Sequence, residues 1–213
     1  MPQDEELKAA LQQGECSLGI SLTPVQRTAL IDYIKLLVKW NRVYNLTAVH
    51  DPKRMLHRHI LDSLTVLPYL LGYRIVDIGA GAGLPGIPLA IAKPDKTFVL
   101  LDSNSKKTRF MQQVKTELQL TNVEVVCSRV ENYQPERRFH TVISRAFSSL
   151  LNMANWSAHL CEPHGVFLAM KGQYPQAELA ELAKSFEIKA VHNLQPEQAG
   201  TDRYLVEIKA PNS

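Results

Sequence analysis

The chain has 213 residues, of which 45% are hydrophobic and 21% charged, and its formal net charge at pH 7 is +3. This length and composition suit one large α/β domain with a helical extension, and the net charge alone does not indicate a nucleic-acid partner. No apolar run approaches the roughly 20 residues of a membrane span, and the polar start does not fit a secretory signal. We therefore expect a cytoplasmic protein without membrane contact.

Three cysteines, Cys16, Cys127 and Cys161, lie far apart in the chain. Their small and odd number fits a reducing compartment and argues against a disulfide framework or a zinc site. No other metal-ligand spacing occurs, so we expect no metal.

The first part of the chain is predicted to be helical. A short polar helix should end near Gly14. A second helix should begin at Thr23, because Thr23 and Gln26 have the spacing of a capping box around a proline in the first turn. Apolar residues at spacings of three and four continue this helix to about Asn41.

A third helix is predicted from Pro52 to about Leu71, and Gly72 should end it. Nothing in residues 1–72 indicates a separate core or a linker. We therefore expect a helical N-terminal extension that packs as a cap on a second part, residues 73–213.

The densest run of positive charge lies in this third helix and includes Lys53, Arg54 and Arg58. Two interpretations remain open: a solvated helix face, which charge runs usually form, or a surface that contacts RNA phosphates. His59 and Asp62 are three residues apart and share a helix face. For this pair a structural hydrogen bond is favoured over proton transfer.

The stretch from Arg74 to Asp102 has the clearest functional pattern. A β-branched strand, Arg74–Ile78, leads into three closely spaced glycines. A helix with Pro85 near its start follows, and a second strand, Thr97–Leu101, ends at Asp102. Glycines after a strand let the backbone approach a ligand, and a carboxylate after the next strand can accept hydrogen bonds from a ribose. The stretch predicts a site for a nucleoside cofactor.

Two cofactors fit this pattern. Read from Gly81, the run is the dinucleotide fingerprint G-x-G-x-x-G, with Asp102 at about the expected distance. Read from Asp77, it is the Asp-x-Gly-x-Gly-x-Gly motif of methyltransferases that use S-adenosylmethionine. Asp77 would repel a pyrophosphate and attract the ammonium of a methionine moiety, which favours S-adenosylmethionine. A glycine-rich packing turn without a ligand is the third interpretation.

Helices and strands alternate along the rest of the chain. The predicted elements are a helix over Ser103–Leu120, strands over Asn122–Cys127 and His140–Ser144, a helix over Ser148–Cys161, a strand over Val166–Met170, a helix over Pro175–Phe186, and strands over Glu187–Leu194 and Tyr204–Lys209 joined by a polar loop with Gly200. This order predicts a doubly wound, mostly parallel seven-stranded sheet with an antiparallel edge hairpin. Such a Rossmann-like sheet suits a class I methyltransferase better than a dehydrogenase, which would repeat a second mononucleotide half.

In such folds the ligand lies beyond the carboxyl ends of the strands. Val130 and Glu131 follow the third predicted strand, where an adenine should rest. Arg145 follows the fourth strand and Lys171 the fifth, on the same side.

Six blocks of sequence resemble one family. They are Trp40–Thr47, Arg58–Ser63, Asp77–Pro88, Ser128–Glu131, Ser144–Phe147 and Lys171–Gln173. In this order they resemble RsmG, the bacterial small-subunit ribosomal RNA methyltransferase G, also called glucose-inhibited division protein B. The similarity covers about residues 20–209 and leaves the first twenty residues uncovered.

The resemblance implies methyl transfer from S-adenosylmethionine to N7 of one guanine in 16S ribosomal RNA, within the small ribosomal subunit. It also implies cofactor contacts at Gly79, Leu84, Val130, Glu131 and Arg145. The pattern of the residues adds Asp77, Gly81 and Asp102 to this set.

The chemistry of such a transfer agrees with what the sequence lacks. N7 of guanine has a free lone pair and no proton to lose, so a base-free, in-line transfer requires alignment alone, which can supply roughly 7–11 kcal/mol. The Asn-Pro-Pro-aromatic run used on exocyclic amines is absent, and none of the three cysteines follows a proline as the nucleophile of cytosine-C5 enzymes does.

The candidate substrate residues each have a structural alternative. Arg145 either pairs with an acid or holds guanine O6, a phosphate or the cofactor, since N7 itself must stay free. Lys171 has the same choice, and Asn45 and His59 are candidates for the rim. A methyltransferase acting on a small molecule or a protein, and a non-catalytic redox module that binds a dinucleotide, remain alternative functions.

Overall fold

A computed structural model of the chain describes residues 2–145, 147–194 and 202–211, and the side chains from residue 4 onward within them. The predicted loop with Gly200 lies outside the described residues. Among the helices that are described, none is long and apolar enough to cross a membrane.

The N-terminal part is helical, as predicted. Its helices are α1 (Pro2–Leu18), α2 (Pro24–Tyr44), α3 (Pro52–Met55), a π-helical stretch (Leu56–Leu61), α4 (Asp62–Leu64) and a 3₁₀ turn (Leu67–Tyr69). The predicted helix from Pro52 is thus present but interrupted by a wider π-helical turn, which sequence periodicity does not reveal.

The predicted end of the first helix at Gly14 is wrong. Gly14 lies inside α1 and packs so closely on Leu61 that a Cβ would come within 2.5 Å of both Leu61 methyl carbons. The helix ends instead at Gly19, whose φ is +63°. There the amide of Gly19 donates to Cys16 O (3.2 Å) and that of Ile20 to Glu15 O (3.1 Å), the pattern of a Schellman cap.

The capping box predicted for α2 is present. The amide of Gln26 donates to Thr23 Oγ1 (3.3 Å) and that of Thr23 to Gln26 Oε1 (2.7 Å). The helix continues past Asn41 to Tyr44, and Asn45 ends it in the left-handed conformation with φ +48°.

The second part contains a seven-stranded sheet. Its strands are β1 (Arg74–Ile78), β2 (Thr97–Asp102), β3 (Val123–Cys127), β4 (Phe139–Arg145), β5 (Cys161–Lys171), β6 (Ile188–Asn193) and β7 (Tyr204–Lys209). The order is β3-β2-β1-β4-β5-β7-β6, and only β7 runs antiparallel to its neighbours. The predicted fold class is confirmed: a Rossmann-like sheet of the class I methyltransferase type with an antiparallel edge.

Helices cover both faces of the sheet. They are α5 (Gly86–Ala92), α6 (Ser105–Glu117), α7 (Leu150–Ser157) and α8 (Gln176–Leu182), with 3₁₀ turns at Val130–Asn132 and Ala158–Leu160. Alternate strand residues point to opposite faces, so Ile75 and Leu100 lie in one hydrophobic cluster and Val76 and Val99 in the other.

The N-terminal helices share the first of these clusters with α5 and α6. The ring of Phe110 in α6 lies 6.3 Å from that of Tyr33 and 5.6 Å from that of Trp40, both in α2. The boundary at residue 72 stays a prediction, but residues on its two sides form one core.

Candidate cofactor and substrate site

A cleft of about 410 Å³ lies at the carboxyl ends of β1, β2 and β3. It borders β1, which has β2 as its neighbour on one side and β4 on the other. Doubly wound sheets bind ligands where the strand order reverses in this way. The cleft is lined by Gly79, Leu101, Asp102, Ser103, Lys107, Ser128, Arg129, Val130, Glu131, Phe147 and Trp156.

The glycine-rich loop after β1 forms one wall of this cleft. Gly79, Gly81 and Gly83 all have positive φ, at 67°, 61° and 86°. A Cβ on Gly83 would collide with Ile87 at 2.2 Å, whereas one on Gly81 would meet only Gly79 O, at 3.9 Å. Gly83 therefore serves the packing of α5 on the loop, while Gly81 leaves open space where a ligand can approach the backbone.

Asp102 fixes this loop. Its Oδ2 accepts from the amide of Gly81 (2.9 Å) and its Oδ1 from that of Asn104 (2.8 Å), and the residue is only 6% exposed. A carboxylate offers about four lone-pair positions, so two acceptor positions remain for ribose hydroxyls. Asp102 thus has a structural role that the sequence did not indicate, and its predicted ribose contact stays a prediction.

Asp77 lies fully buried beneath the loop. Its Oδ2 accepts from the amide of Gly86 (2.8 Å), while its Oδ1 has no hydrogen-bond partner among the described residues. Burial raises the pKa of this carboxyl to about 8. The carboxyl, largely protonated at neutral pH with such a pKa, orders the start of α5 through the Gly86 amide. Its predicted attraction for an ammonium stays a prediction.

The predicted cofactor residues fall into two groups. Four of them line the cleft, namely Gly79, Asp102, Val130 and Glu131. The other four, Asp77, Gly81, Leu84 and Arg145, are not among the described residues that line it.

Helix α2 holds the glycine loop from behind. The buried hydroxyl of Tyr33 donates to Ala82 O (2.7 Å), and Gln26 Nε2 donates to Ile91 O and Ala92 O (both 3.1 Å). One helix of the extension therefore contacts both the loop and the end of α5. Sequence analysis did not single out Tyr33, because the partner carbonyl has no side-chain signature.

Replacing Tyr33 with phenylalanine should loosen this loop. The buried Ala82 carbonyl would lose its partner, which costs about 1–3 kcal/mol of folding free energy, and the affinity for S-adenosylmethionine should fall in parallel. Urea unfolding and calorimetric titration test this, with Tyr73→Phe as the control because Tyr73 is 56% exposed. Equal effects of the two substitutions would contradict the role of Tyr33.

Arg145, at the end of β4, belongs to a buried cluster with two other charged residues. Its Nη1 lies 3.3 Å from Asp62 Oδ2, and Arg203 Nε donates to Asp62 Oδ1 (2.7 Å). Arg145 Nη2 also donates to the carbonyl of Arg58 (2.8 Å). Asp62 is 1% exposed, so one buried carboxylate balances two guanidinium groups.

The contact between Arg145 and Asp62 is an ion pair without hydrogen-bond alignment. Neither Arg145 Nη1 nor Asp62 Oδ2 has a hydrogen-bond partner among the described residues. Burial lowers the pKa of the guanidinium, and Asp62 opposes that shift. The structural alternative predicted for Arg145 is therefore present, and its Nη1 is buried against Asp62.

His59 makes a structural hydrogen bond, but not with Asp62 as predicted. Its Nε2 lies 2.8 Å from Thr47 Oγ1, and its Nδ1 lies 3.4 Å from Arg145 Nη2. A guanidinium only donates, so Nδ1 is the acceptor and Nε2 carries the proton towards Thr47. Burial, followed by the charge of Arg145, lowers the pKa of His59 to about 4.

This shift makes stability depend on pH. In the unfolded chain His59 binds a proton near its ordinary pKa of about 6.5, whereas in the folded chain it stays neutral to about pH 4. The contribution of His59 to stability is therefore fully present above pH 6.5 and is lost as the pH falls towards 4. From pH 7.5 to pH 5 this residue should cost about 2 kcal/mol.

Urea unfolding at pH 7.5 and pH 5 measures this loss. Between these two pH values, His59→Gln should lose about 2 kcal/mol less unfolding free energy than the wild type. The contributions of other titrating groups, including Asp77, are the same in both proteins and cancel in the comparison. His164→Asn, at an exposed position with φ +67°, should lose as much as the wild type. Equal losses for wild type and His59→Gln would contradict the assignment.

The remaining predicted substrate residues are less closely grouped. Lys53 Nζ pairs with Glu6 (2.6 Å), with both side chains more than half exposed. Arg54 and Asn45 are exposed. Asn45 has a structural role, because it ends α2 in the left-handed conformation. Lys171 Nζ donates to both carboxylate oxygens of Glu178, at 3.0 and 2.8 Å. The exposed ion pair thus favours the solvated-face interpretation for Lys53. The predicted RNA contacts stay predictions.

A second cleft, of about 590 Å³, adjoins the buried cluster. It is lined by Arg58, Lys171, Gly172, Gln173, Tyr174, Pro175, Glu178 and Arg203. It thus unites two predicted substrate residues, Arg58 and Lys171, with Arg203 and Tyr174, which sequence analysis did not single out. Across the described residues no group of three or more His, Cys, Asp or Glu is placed to hold a metal ion.

Comparison with known proteins assigns the chain to a family. The sequence model of the family described as GidB, rRNA small subunit methyltransferase G, matches residues 26–206. The chain belongs to this family. The predicted resemblance to RsmG is thereby confirmed.

Close relatives match nearly the whole chain. Ribosomal RNA small subunit methyltransferase G of Aeromonas salmonicida is 52% identical over 202 residues, 93% of this chain and 97% of the relative. The protein of the same name from Nitrosococcus oceani is 50% identical, with 93% of each chain covered.

Solved structures agree on the fold. The glycopeptide N-methyltransferase MtfA complexed with S-adenosylmethionine superposes with a TM-score of 0.63 at 13% identity, over 72% of this chain and 87% of that one. A SAM-dependent methyltransferase from Aquifex aeolicus gives 0.57 at 15% identity, over 76% and 94%. The fold of this RsmG family member is that of S-adenosylmethionine-dependent methyltransferases, and family and fold together confirm the predicted cofactor.

Proposed function

We propose that this chain methylates N7 of one guanine in 16S ribosomal RNA, within the small ribosomal subunit in the cytoplasm. The observation that carries the proposal is that the cofactor cleft and a cluster of arginines lie side by side at one edge of the sheet. A cofactor cleft with a glycine loop and an acid lies beside a cluster of arginines at the ends of β4 and β5. The family supports ribosomal RNA as the substrate, and the chemistry of the site supports N7.

The first cleft fits the cofactor. Gly81 leaves the loop backbone open, Asp102 keeps free acceptor positions, and Val130 and Glu131 follow β3. These residues would hold the ribose and the adenine, with Asp77 acting from beneath the loop. S-adenosylmethionine, when bound, supplies an electrophilic methyl group.

The protein need not supply a base. Guanine N7 attacks with its own lone pair, so the enzyme has to position the base and exclude competing geometries. His59 fits this account: it is buried, its Nδ1 accepts from Arg145, and its low pKa keeps it neutral at physiological pH. The residue therefore supports Arg145, and its low pKa makes it a weak proton acceptor.

Arg145 is proposed to orient the guanine or its phosphate. Its Nη2 is used by the Arg58 carbonyl, and its Nη1 has no aligned partner in the part of the chain that is described. Since Nη1 is buried against Asp62, a contact with O6 or a phosphate oxygen requires a shift of this side chain when RNA binds. The new hydrogen bond would be charge-assisted and about twice as strong as a neutral one.

The proposed reaction is tested on RNA from cells that lack this protein. Mass spectrometry of 16S RNA should show the loss of one N7-methylguanine, restored by the wild-type gene. Purified protein should transfer radioactive methyl from S-adenosylmethionine to small-subunit particles from those cells. Labelling of a protein or a small molecule with no labelling of the RNA would favour the alternative methyltransferase functions.

Replacing Arg145 with alanine should act on rate. At saturating particles and cofactor, the single-turnover rate should fall about tenfold or more, equivalent to one charge-assisted hydrogen bond of roughly 1.5–3 kcal/mol. Lys53→Ala with Arg54→Ala is the control, because these exposed cations should affect particle affinity and its salt dependence alone. A wild-type single-turnover rate for Arg145→Ala would limit this residue to a structural role.

A further inference from the structure

We propose that the second cleft binds a nucleotide that neighbours the methylated guanine, with its base against Tyr174 and its phosphate among Arg58, Lys171 and Arg203. This inference rests on the proposed function and adds to it a subsite for the RNA chain outside the cofactor cleft.

The charge of the cleft favours a phosphate. The cluster at the ends of β4 and β5 contains four cations, Arg58, Arg145, Lys171 and Arg203, against the carboxylates of Asp62 and Glu178. Asp62 is shared by two arginines, and Arg58 forms no ion pair among the described residues. Positive charge therefore exceeds negative charge beside a concave surface, the condition for binding a phosphate oxygen.

The arginines are held in place before any ligand binds. Arg203 donates to buried Asp62, and a Cβ on Gly172 would lie 3.0 Å from Arg203 Nη1. The glycine after β5 thus leaves room for this guanidinium close to the backbone. Little side-chain freedom remains for Arg203 to lose on binding, and such preorganisation favours affinity.

Tyr174 supplies an aromatic surface. It is 50% exposed, and its ring lies edge-on to that of Tyr204 at a centroid distance of 5.4 Å. An exposed ring beside guanidinium groups is typical of sites for unpaired nucleotides, where bases stack on aromatic side chains and arginines contact the backbone.

The second cleft lies where an RNA chain would continue beyond the cofactor cleft. Phe147, just after β4, lines the cofactor cleft, while Arg58 and Arg203, which contact Arg145 and its partner Asp62, line the second. Strands β4 and β5 pair with Arg145 beside Met170, so Lys171 follows directly. The cluster around Asp62 thus contacts residues that line the second cleft, and a guanine held by Arg145 would place an adjoining nucleotide towards that cleft.

Two substitutions with different expected signatures test the subsite. Binding to unmethylated small-subunit particles is measured by fluorescence anisotropy across a salt series. Tyr174→Ala should weaken binding about tenfold with an unchanged salt slope, and Tyr174→Phe should restore it, because stacking needs the ring and not the hydroxyl. Arg58→Gln should weaken binding and reduce the salt slope by about one.

Controls separate this proposal from folding defects and from the proposed function. Both variants should bind S-adenosylmethionine as the wild type does, and Tyr73→Ala, at another exposed tyrosine, should bind particles normally. If wild-type protein methylates particles but Tyr174→Ala and Arg58→Gln bind them with wild-type affinity and salt slope, the subsite is refuted and the function stands. If wild-type protein neither binds nor methylates particles, the proposed function itself fails.

Discussion

Valine at position 81 should abolish binding of S-adenosylmethionine. Gly81 has φ +61° and open space above its Cα. A β-branched residue is strongly disfavoured in this left-handed conformation, and its side chain would fill the space that the cofactor needs. The amide of Gly81 also donates to Asp102, so a shifted loop would displace the acid as well. Calorimetric titration of Gly81→Val should detect no binding.

Gly19→Val is the matched control. Gly19 has nearly the same backbone conformation, with φ +63°, and a Cβ there would meet nothing within 4 Å. It ends α1 and is not part of the glycine loop after β1. The control should lose stability through backbone strain but bind cofactor like the wild type. A folded Gly81→Val protein with normal affinity would mean that the glycine loop is only a packing turn.

Removing the carboxylate of Asp62 should have the second large effect. Asp62→Ala leaves Arg145 and Arg203 without their shared acid in a buried site. Breaking a buried ion pair in this way costs about 3–5 kcal/mol. We expect the lower end, because the two arginine side chains keep 18% and 21% of their surface exposed. The folded fraction should also lose methyl transfer, since Arg145 would no longer be held in position.

Glu15→Ala separates stability from function. Glu15 is likewise buried at 3% exposure and accepts both hydrogen bonds of Arg27, at 2.7 and 2.8 Å, but it lies at the end of α1. Both variants should unfold at lower urea concentration, while only Asp62→Ala should show a reduced single-turnover rate below the unfolding transition. Equal turnover in the two folded variants would show that Asp62 serves stability alone.

The parts of the site that the sequence predicted are those that local spacing determines. Gly79, Gly81 and Asp102 belong to one β-loop-α-β unit, in which the positions of turn, helix and acid follow from short-range geometry. The capping box at Thr23 was predictable for the same reason. The mostly parallel sheet with its antiparallel edge followed from the alternation of helices and strands, which permits few topologies.

The parts that were missed depend on contacts between distant segments. Asp62 meets Arg203 from the far end of the chain, and Tyr33 meets a backbone carbonyl of the glycine loop. Gly14 looked like a helix end because the leucine that packs on it, Leu61, belongs to another helix. No spacing rule links such residues, so their pairing becomes visible only in three dimensions.

The shared core of α2 and α6 has a consequence for synthesis on the ribosome. Tyr33 and Trp40 emerge long before Phe110, the ring on which both pack. At roughly 5–20 residues per second, the apolar face of α2 waits on the order of 4–15 seconds for that partner. During this interval the nascent helix can pack on its neighbours in the N-terminal part but lacks the surface that α6 provides. We therefore expect chaperones that bind nascent chains to engage α2 and to release it once β2 and α6 have emerged.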